Sequence, residues 1–516
     1  MEAATATPGA APARERRSTR SRRALAPILL AIGLLASLPF LVHPWYEAGP
    51  ETNDDSMYIE TARSMLRGEG CSYLGQPFII RPPGFPALLA PVLALRGVDF
   101  RSLNLFVATL GAAAVVLLFL FARPRVGTPV ALALAALMWL NPGFRRFSNE
   151  IMSDVPGAAL LFACLLLERW ARRSPGPRRD AVLGVAIGLA AYVRSISILL
   201  VPAILVARWL RFLRREDGSP SWPRFVRDRA LVLALVPALL LLPWSVRSAL
   251  HHPETPVDQL FLYSYSTAMW HQDAGDPSSP ARGLPEVLRS VPLRSQQTLA
   301  AIGGRMKPGA SGPIEIAVGV SMLLASAFVL VRRRGPAEVF GFLTLGVLLV
   351  YFGFRDRLVL PIWMIASCGA AEALCLGLRR LAGERRAGLL ASLCVLSVAA
   401  LDFRPREGWP EIEAEHARRR ALAAEWNASL PAGARVAAPI GWHWTVYLGR
   451  PVYSLCFGWR RASGHDGAER VIDLHGVDTV LLRTDPPEDP MMLAYFTSRY
   501  GVAKRVEGGV LVRVRP

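Results

Sequence analysis

Long apolar runs, separated by short polar or basic segments, fill the chain from residue 25 to residue 401. Many of these runs approach the ~20 residues that an α-helix needs to cross a bilayer. The pattern therefore predicts a polytopic helical membrane protein rather than a soluble one. It places eleven transmembrane helices near residues 25–43, 103–122, 127–142, 155–168, 181–193, 196–210, 230–246, 314–331, 337–353, 358–378 and 387–401.

Two of these runs, 181–193 and 196–210, are short and are separated only by Arg194 and Ser195. A single long, broken helix is the alternative to a helical hairpin, and it would invert the side of every later segment. The hairpin puts the arginine clusters at 211–229 and 332–334 on the cytoplasmic side, as the positive-inside rule expects. The hairpin is therefore favoured.

The basic residues lie in clusters between the apolar runs, which accounts for the net charge of +19. Such clusters orient a membrane protein, so they do not indicate a nucleic-acid partner. They predict a cytoplasmic N-terminus, with residues 1–24 as a disordered basic tail. The outer side then holds the loops 44–102, 143–154 and 247–313 and the C-terminal segment 402–516.

The C-terminal segment 402–516 has no spanning run and is richer in Trp, Asp and Glu. Residues 471–482 have the pattern of a helix turn leading into a buried strand, and residues 509–514 alternate as a strand does. The segment is predicted to form a small α/β domain on the outer side.

Acidic residues stand at the predicted outer ends of two helical segments. Residues 55–67 have helical periodicity and predict a helix along the membrane surface, with Asn53 or Asp54 as its N-cap. Glu150 and Asp154 are four residues apart, which would place them on one helical face. Capping is one explanation of these carboxylates. The other is a reaction site, in which one carboxylate takes a proton and another positions a hydroxyl or a metal ion.

Several arginines fall at the same predicted level, namely Arg81, Arg194, Arg247, Arg355 and Arg357. Any one of them could extend its side chain to the interface for solvation alone. Together with the carboxylates they fit a phosphate-bearing lipid better, because guanidinium groups bind phosphate oxygens in pairs.

The motifs resemble those of the GT-C superfamily of integral-membrane glycosyltransferases. Asp54 and Asp55 are followed by Tyr58, Arg81 opens the run Arg-Pro-Pro-Gly-Phe-Pro, an acidic residue opens the fourth helix, and arginine precedes a late proline. The chain looks most like bacterial relatives of protein O-mannosyltransferases, lipid A aminoarabinose transferases and Rgt-like sugar transferases. The resemblance covers residues 25–401, and a distal soluble domain is common in the superfamily.

The resemblance implies transfer of a sugar from a polyprenyl-phosphate carrier to a hydroxyl of a lipid, glycan or protein acceptor. The reaction would take place at the outer face of the bacterial cytoplasmic membrane and invert the anomeric configuration. No cofactor is required, although a divalent cation bridging Asp54 and Asp154 is left open.

The resemblance also implies residue roles. Asp54 matches the general base, Asp55 the acidic residue after it, and Asp154 the second acidic position of the site. Arg81 matches the basic position near the carrier phosphate, and Tyr58 is the aromatic residue of the first motif. Substrate or phosphate contacts are further expected from Glu150, Arg194, Arg355 and Arg357. The run Arg355-Asp356-Arg357 departs from the usual pattern, so it leaves open which of its arginines acts.

Two other functions are considered. A transporter or lipid flippase would have inverted repeats and charges at helix centres, whereas the charges here lie at predicted helix ends. A catalytically inactive glycan-binding membrane protein would need an outer stacking surface, for which Trp442, Trp444, Tyr447 and Tyr453 are candidates unless they form the core of the C-terminal domain.

Overall fold

The structure is a computed structural model that describes residues 25–38, 54–214, 230–251, 270–271, 280–306, 311–351, 355–402, 409–455 and 465–515. The predicted tail 1–24 lies outside these residues. The helices before the C-terminal segment are α1 Leu25–Leu38, α2 Asp54–Leu66, α3 Gly84–Arg96, α4 Phe100–Val126, α5 Thr128–Leu140, α6 Pro142–Ser148, α7 Asp154–Arg173, α8 Pro177–Val193, α9 Leu200–Leu213, α10 Val232–Leu250, α11 Leu284–Gly303, α12 Pro313–Arg333, α13 Pro336–Val350 and α14 Asp356–Asp402. A short hairpin of β1 (Ser72–Tyr73) and β2 (Gln76–Pro77) follows α2.

Each of the eleven predicted segments overlaps a helix of the structure. The last two belong to one helical stretch, α14, which breaks at Gly383, where φ is 75°. By length and composition, five helices among the described residues can cross a membrane, and five shorter ones are also apolar. The protein is therefore a mostly helical, membrane-type protein, and eleven crossings stay a prediction.

The first half of α14 is the central helix of the bundle. α14 as a whole packs against α5, α12 and α13. In its first half, 78% of the apolar window is buried, against 11% for α10. A helix that is apolar all round is stable either in a protein core or against lipid. Burial therefore separates the central α14 from the peripheral α10, although the two have almost the same mean hydropathy.

Helices α8 and α9 form the predicted hairpin. The chain breaks at Arg194, whose backbone is extended, and a 3₁₀ turn over Ser195–Leu199 precedes α9. Asp180 near the start of α8 pairs with Arg208 near the end of α9 at 2.6 Å. The two helices are therefore antiparallel, which a single broken helix does not allow.

Three helices have no counterpart among the predicted segments, namely α3, α6 and α11. The predicted surface helix is found as α2, but ten of its thirteen residues are buried. It packs against α3 and against a helix of the C-terminal segment. The predicted helix is therefore confirmed and is covered by other parts of the chain, whereas its position along the membrane surface stays a prediction.

The C-terminal segment contains α15 Trp409–Ser429, β3 Val436–Ala438, α16 Gly441–Leu448, β4 Val452–Ser454, α17 His465–His475, β5 Thr479–Arg483, α18 Pro490–Tyr500, β6 Lys504–Val506 and β7 Gly509–Arg513. The strands form one sheet in the order β4-β3-β5-β7-β6, parallel from β4 to β5 and antiparallel from β5 to β6. The helix and strand predicted over 471–482, and the strand predicted over 509–514, correspond to α17, β5 and β7. The outer location of this segment stays a prediction.

Candidate active site

Asp54 is the first residue of α2, and its carboxylate forms ion pairs with two arginines. Its Oδ1 lies 2.5 Å from Nη2 of Arg81, and its Oδ2 lies 2.8 Å from Nη2 of Arg357. The carboxylate is only 7% exposed. Burial on its own would raise the pKa of Asp54, but the charges of Arg81 and then Arg357 outweigh it, so the pKa lies below its ordinary value. Asp54 is therefore ionised and held between two guanidiniums.

Arg81 is positioned by the Pro-Pro-Gly run that follows it. Gly84, the first residue of α3, lies against the backbone of Tyr192 near the end of α8, where an added Cβ would come within 2.5 Å of that backbone. Only glycine permits so close an approach. The guanidinium of Arg81 also lies over the ring of Tyr58, 5.5 Å from its centroid, in cation–π geometry.

Tyr58 continues the cluster toward the second carboxylate. Its hydroxyl lies 3.1 Å from Oγ of Ser153, which also accepts from Nη1 of Arg194 at 3.3 Å. Nη2 of Arg194 lies 2.6 Å from Oδ1 of Asp154, the first residue of α7. A side chain at Gly157 would collide with the aliphatic part of Arg194, so glycine there lets the arginine reach Asp154.

Of the two late arginines, Arg357 is the one that contacts Asp54. It lies in the first turn of α14, where its backbone N–H donates to Asp356 at 2.8 Å. Its Nη1 also approaches Sδ of Met152 at 3.6 Å. Arg355 immediately precedes α14, and the described ion pairs of Asp54 are those with Arg81 and Arg357.

Six of the nine predicted site residues therefore form one connected group together with Ser153. We call it the site cluster; its members are Asp54, Tyr58, Arg81, Ser153, Asp154, Arg194 and Arg357. They come from α2, the segment before α3, the start of α7, the end of α8 and the start of α14. Its core is two carboxylates among three guanidiniums.

Glu150 and Asp55 lie beside the site cluster. α7 begins at Asp154, so Glu150 is outside it and the predicted shared helical face of Glu150 and Asp154 was wrong. Glu150 is buried and pairs with Arg146 at 2.8 Å. Asp55 is also buried, and its Oδ1 accepts from the backbone N–H of Ser56 at 2.8 Å.

The C-terminal segment covers the site helix. Val446 of α16 belongs to the same apolar core as Tyr58 and Ile59 of α2. Burial raises the pKa of Tyr447, and the negative charge of Asp55 contributes to the increase. Packing against α16 thus explains why α2, although polar in sequence, is buried.

Sequence reasoning missed Ser153 and Met152. Only the position of Ser153 beside Asp154 could have suggested a role for it. Arg247, grouped with the interface arginines, instead donates to the backbone carbonyls of Cys71 at 2.5 Å and Phe78 at 2.9 Å, so it braces the β1–β2 hairpin.

Within the described residues, no three or more His, Cys, Asp or Glu side chains are grouped as a metal site would require. Asp54 and Asp154 each face arginine instead. A divalent cation bridging them stays a hypothesis that chelation can test.

Comparison with known families and folds shows which proteins the chain resembles. The family model for dolichyl-phosphate-mannose-protein mannosyltransferases matches residues 80–246, which include Arg81, Asp154 and Arg194. The fold matches solved structures of two GT-C proteins. The resemblance to the GT-C superfamily of membrane glycosyltransferases is thereby confirmed.

The particular structures are ArnT from Cupriavidus metallidurans and an oligosaccharyltransferase from Archaeoglobus fulgidus. ArnT bound to undecaprenyl phosphate superposes with a TM-score of 0.60 at 13% identity, covering 94% of this chain and 97% of that one. Apo ArnT gives 0.59 at 13% identity, with 96% and 98% coverage. The oligosaccharyltransferase complex with Zn and sulfate gives 0.52 at 14% identity, with 89% and 68% coverage. A search of curated protein sequences finds no significant match.

Proposed function

We propose that the protein transfers a glycosyl unit from a polyprenyl-phosphate donor to an acceptor hydroxyl at the outer face of the cytoplasmic membrane, with Asp54 as general base. The observation that carries the proposal is the sharing of one buried carboxylate, Asp54, by Arg81 and Arg357.

An arrangement of two cations on one carboxylate suits an incoming phosphate. Guanidinium groups bind phosphate oxygens through paired hydrogen bonds, and the additional negative charge balances the excess of arginine. Undecaprenyl phosphate is bound in the structurally similar ArnT. This supports a polyprenyl phosphate as the carrier, with Arg81 and Arg357 as its ligands.

The reaction is a single displacement. The acceptor oxygen forms a bond to the anomeric carbon while the bond from that carbon to the phosphate oxygen breaks, and the electron pair leaves with the phosphate. The acceptor proton passes to Asp54. Arg81 and Arg357 stabilise the charge that develops on the leaving phosphate. Attack opposite the leaving group inverts the anomeric configuration.

Binding of the phosphate would also prepare the base. Arg81 and Arg357 hold the pKa of Asp54 below its ordinary value. When they turn toward phosphate, the pKa of Asp54 rises again and the carboxylate becomes a better proton acceptor. Asp154, held by Arg194, is proposed to accept a hydrogen bond from a sugar or acceptor hydroxyl, with Asp55 supporting the start of α2.

The test replaces Asp54 with Asn and measures transfer of labelled sugar from a polyprenyl-phosphate donor in membranes. Loss of the base should lower transfer by about 10²–10⁴-fold. Glu60→Gln is the matched control, since Glu60 lies on the same helix and pairs with Arg63 at 2.6 Å outside the site cluster. Wild-type transfer by Asp54→Asn would exclude Asp54 as the base.

Two further measurements define the reaction. Assays with and without EDTA test the divalent cation, and we expect chelation to leave transfer unchanged because arginine already faces both carboxylates. Mass spectrometry of lipid extracts from wild-type and deletion cells should reveal the sugar and the acceptor as the glycoconjugate that loses one glycosyl mass.

A further inference from the structure

A second polar feature lies at the opposite end of the bundle from the site cluster. α7 begins at Asp154 in the site and ends at Arg173, and its twenty residues span roughly 30 Å. Between the last turns of α4 and α7 lies a cleft of ≈ 690 Å³, here called the cationic cleft. Its principal lining residues are Arg123, Arg169, Arg173, Trp170, Leu120 and Leu166.

Within the part of the chain that the structure describes, no acidic side chain lines the cationic cleft. The buried carboxylates at this end of the bundle are held by arginines outside the lining: Glu168 by Arg211 at 3.3 Å, Glu338 by Arg125, and Glu372 by Arg125 and Arg333. The charges that act most strongly on Arg169 are those of other arginines, Arg172 and Arg173 among them. Among the described residues, Arg169 and Arg173 therefore lie together in a lining that contains no carboxylate.

The rest of the lining is apolar or amphipathic. Leu120 and Leu166 lie one turn or less before the arginines on the same helices, on the side of the bilayer interior. Trp170 is 41% exposed and stacks with Arg179, whose guanidinium carbon is 4.6 Å from the ring centroid. Tryptophan is typical of the membrane interface. Cations at the rim and leucines below them match a lipid with a charged headgroup and an acyl chain.

We propose that the cationic cleft binds the phosphate of an anionic glycerophospholipid, with Arg169 and Arg173 on the headgroup and an acyl chain along Leu120 and Leu166. In the predicted orientation this lipid belongs to the cytoplasmic leaflet, where anionic headgroups bind basic pockets between helices. The site is separate from the proposed donor site and does not depend on the reaction there.

The test measures lipid binding to the purified full chain in detergent by native mass spectrometry. Dioleoyl-phosphatidylglycerol is compared with dioleoyl-phosphatidylcholine for the wild type, Arg169→Gln/Arg173→Gln and the control Arg178→Gln, an exposed arginine at the start of α8 that does not line the cleft. The apparent affinity for phosphatidylglycerol should fall at least tenfold in the double variant and remain unchanged in the control. Equal affinity in all three proteins would overturn the proposal.

Competition with inorganic phosphate distinguishes a lipid ligand from a free anion as the ligand of the cleft. If millimolar phosphate displaces phosphatidylglycerol, and phosphatidylglycerol binds no better than phosphatidylcholine, a lipid site is excluded. If the double variant fails to fold, the wild-type protein is instead crosslinked with a photoreactive phosphatidylglycerol. Crosslinks at the ends of α4 and α7 support the site, and their absence there contradicts it.

Discussion

The site cluster and a second group of charges, buried except for the exposed Arg333, both consist of arginines and carboxylates but differ in charge balance. The second group, here the far cluster, consists of Arg125, Arg333, Glu338 and Glu372, contributed by α4, α12, α13 and α14. Arg125 pairs with both glutamates, and Arg333 pairs with Glu372. It thus has two cations and two carboxylates, whereas the core of the site cluster has three cations and two carboxylates.

The difference in charge balance accompanies the difference in role that we propose, structural for the far cluster and ligand-binding for the site cluster. A buried charge is costly unless a partner neutralises it. The far cluster meets this requirement with its own residues and joins four helices. Counted over its own members the site cluster has one more cation than carboxylates, with the buried carboxylate of Asp55 beside it. Its residues lie at helix ends and in connecting segments, where binding groups are common. It is therefore the cluster to which an external anion adds favourable interactions.

The largest expected effect is structural and concerns the far cluster. Glu372→Gln removes a carboxylate shared by buried Arg125 and the 41%-exposed Arg333. The free energy of unfolding should fall by about 3 kcal/mol, the lower end for a broken buried pair, because Arg333 is partly solvated and Arg125 keeps Glu338. Glu384→Gln is the matched control on the same helix, because Glu384 is exposed and lies 3.7 Å from Arg379. Denaturant unfolding in detergent measures the stability of both variants. Equal stability of Glu372→Gln and Glu384→Gln would contradict a structural role of the far cluster.

The next effect is catalytic and concerns the site cluster. Arg357→Ala should lower transfer by about 10²–10³-fold, because a donor to the developing phosphate charge is lost. Stability should change little, since Asp54 keeps Arg81. Arg355→Ala should lower transfer less, because Arg357 is the late arginine that pairs with Asp54. Single-turnover transfer rates of the two variants test this. A greater loss in Arg355→Ala than in Arg357→Ala would show that Arg355, and not Arg357, stabilises the phosphate.

The buried carboxyl group of Glu488, outside both clusters, has no arginine ion pair among the described residues, and its pKa is therefore shifted in the opposite direction from that of Asp54. Glu488 accepts from the indole N–H of Trp444 at 3.0 Å, and burial raises its pKa to about 6 from 4.5. The folded state thus binds the proton more tightly than the unfolded state, so stability should fall as the pH rises from about 4.5 through about 6, by up to about 2 kcal/mol. Glu488→Gln should remove this dependence in unfolding measured at pH 4.5 and 7. An unchanged dependence would mean that another group titrates.

The smallest effect concerns the link between the two carboxylates of the site. Tyr58→Phe removes the hydroxyl contact with Ser153 but leaves a ring beneath Arg81, so the free energy of unfolding should fall by about 1 kcal/mol. Ser153→Ala should have a similar effect. The double variant should cost less than the sum of the two, since they share one contact. Strict additivity would show that the contact contributes little.

Much of the fold could be predicted because its signals are local. Hydropathy located the helices, and basic clusters indicated which helix ends share a side, as the pairing of Asp180 with Arg208 bears out. α3 was missed because Pro86 and Pro91 interrupt its sequence, and α11 because its apolar residues alternate with polar ones. The burial of α2 was not predictable from its own residues, since α16, nearly 400 positions away, supplies the cover.

By itself, the sequence determined which residues could form the site, because carboxylates and arginines at the ends of apolar helices must collect at a few levels of the bundle. Only the tertiary structure decided which of them meet. Asp54 joins Arg81 and also Arg357, 303 positions away, whereas the nearby Glu150 turns to Arg146. An ion pair depends on side chains meeting within a few ångströms, and helix packing rather than spacing along the chain sets that distance.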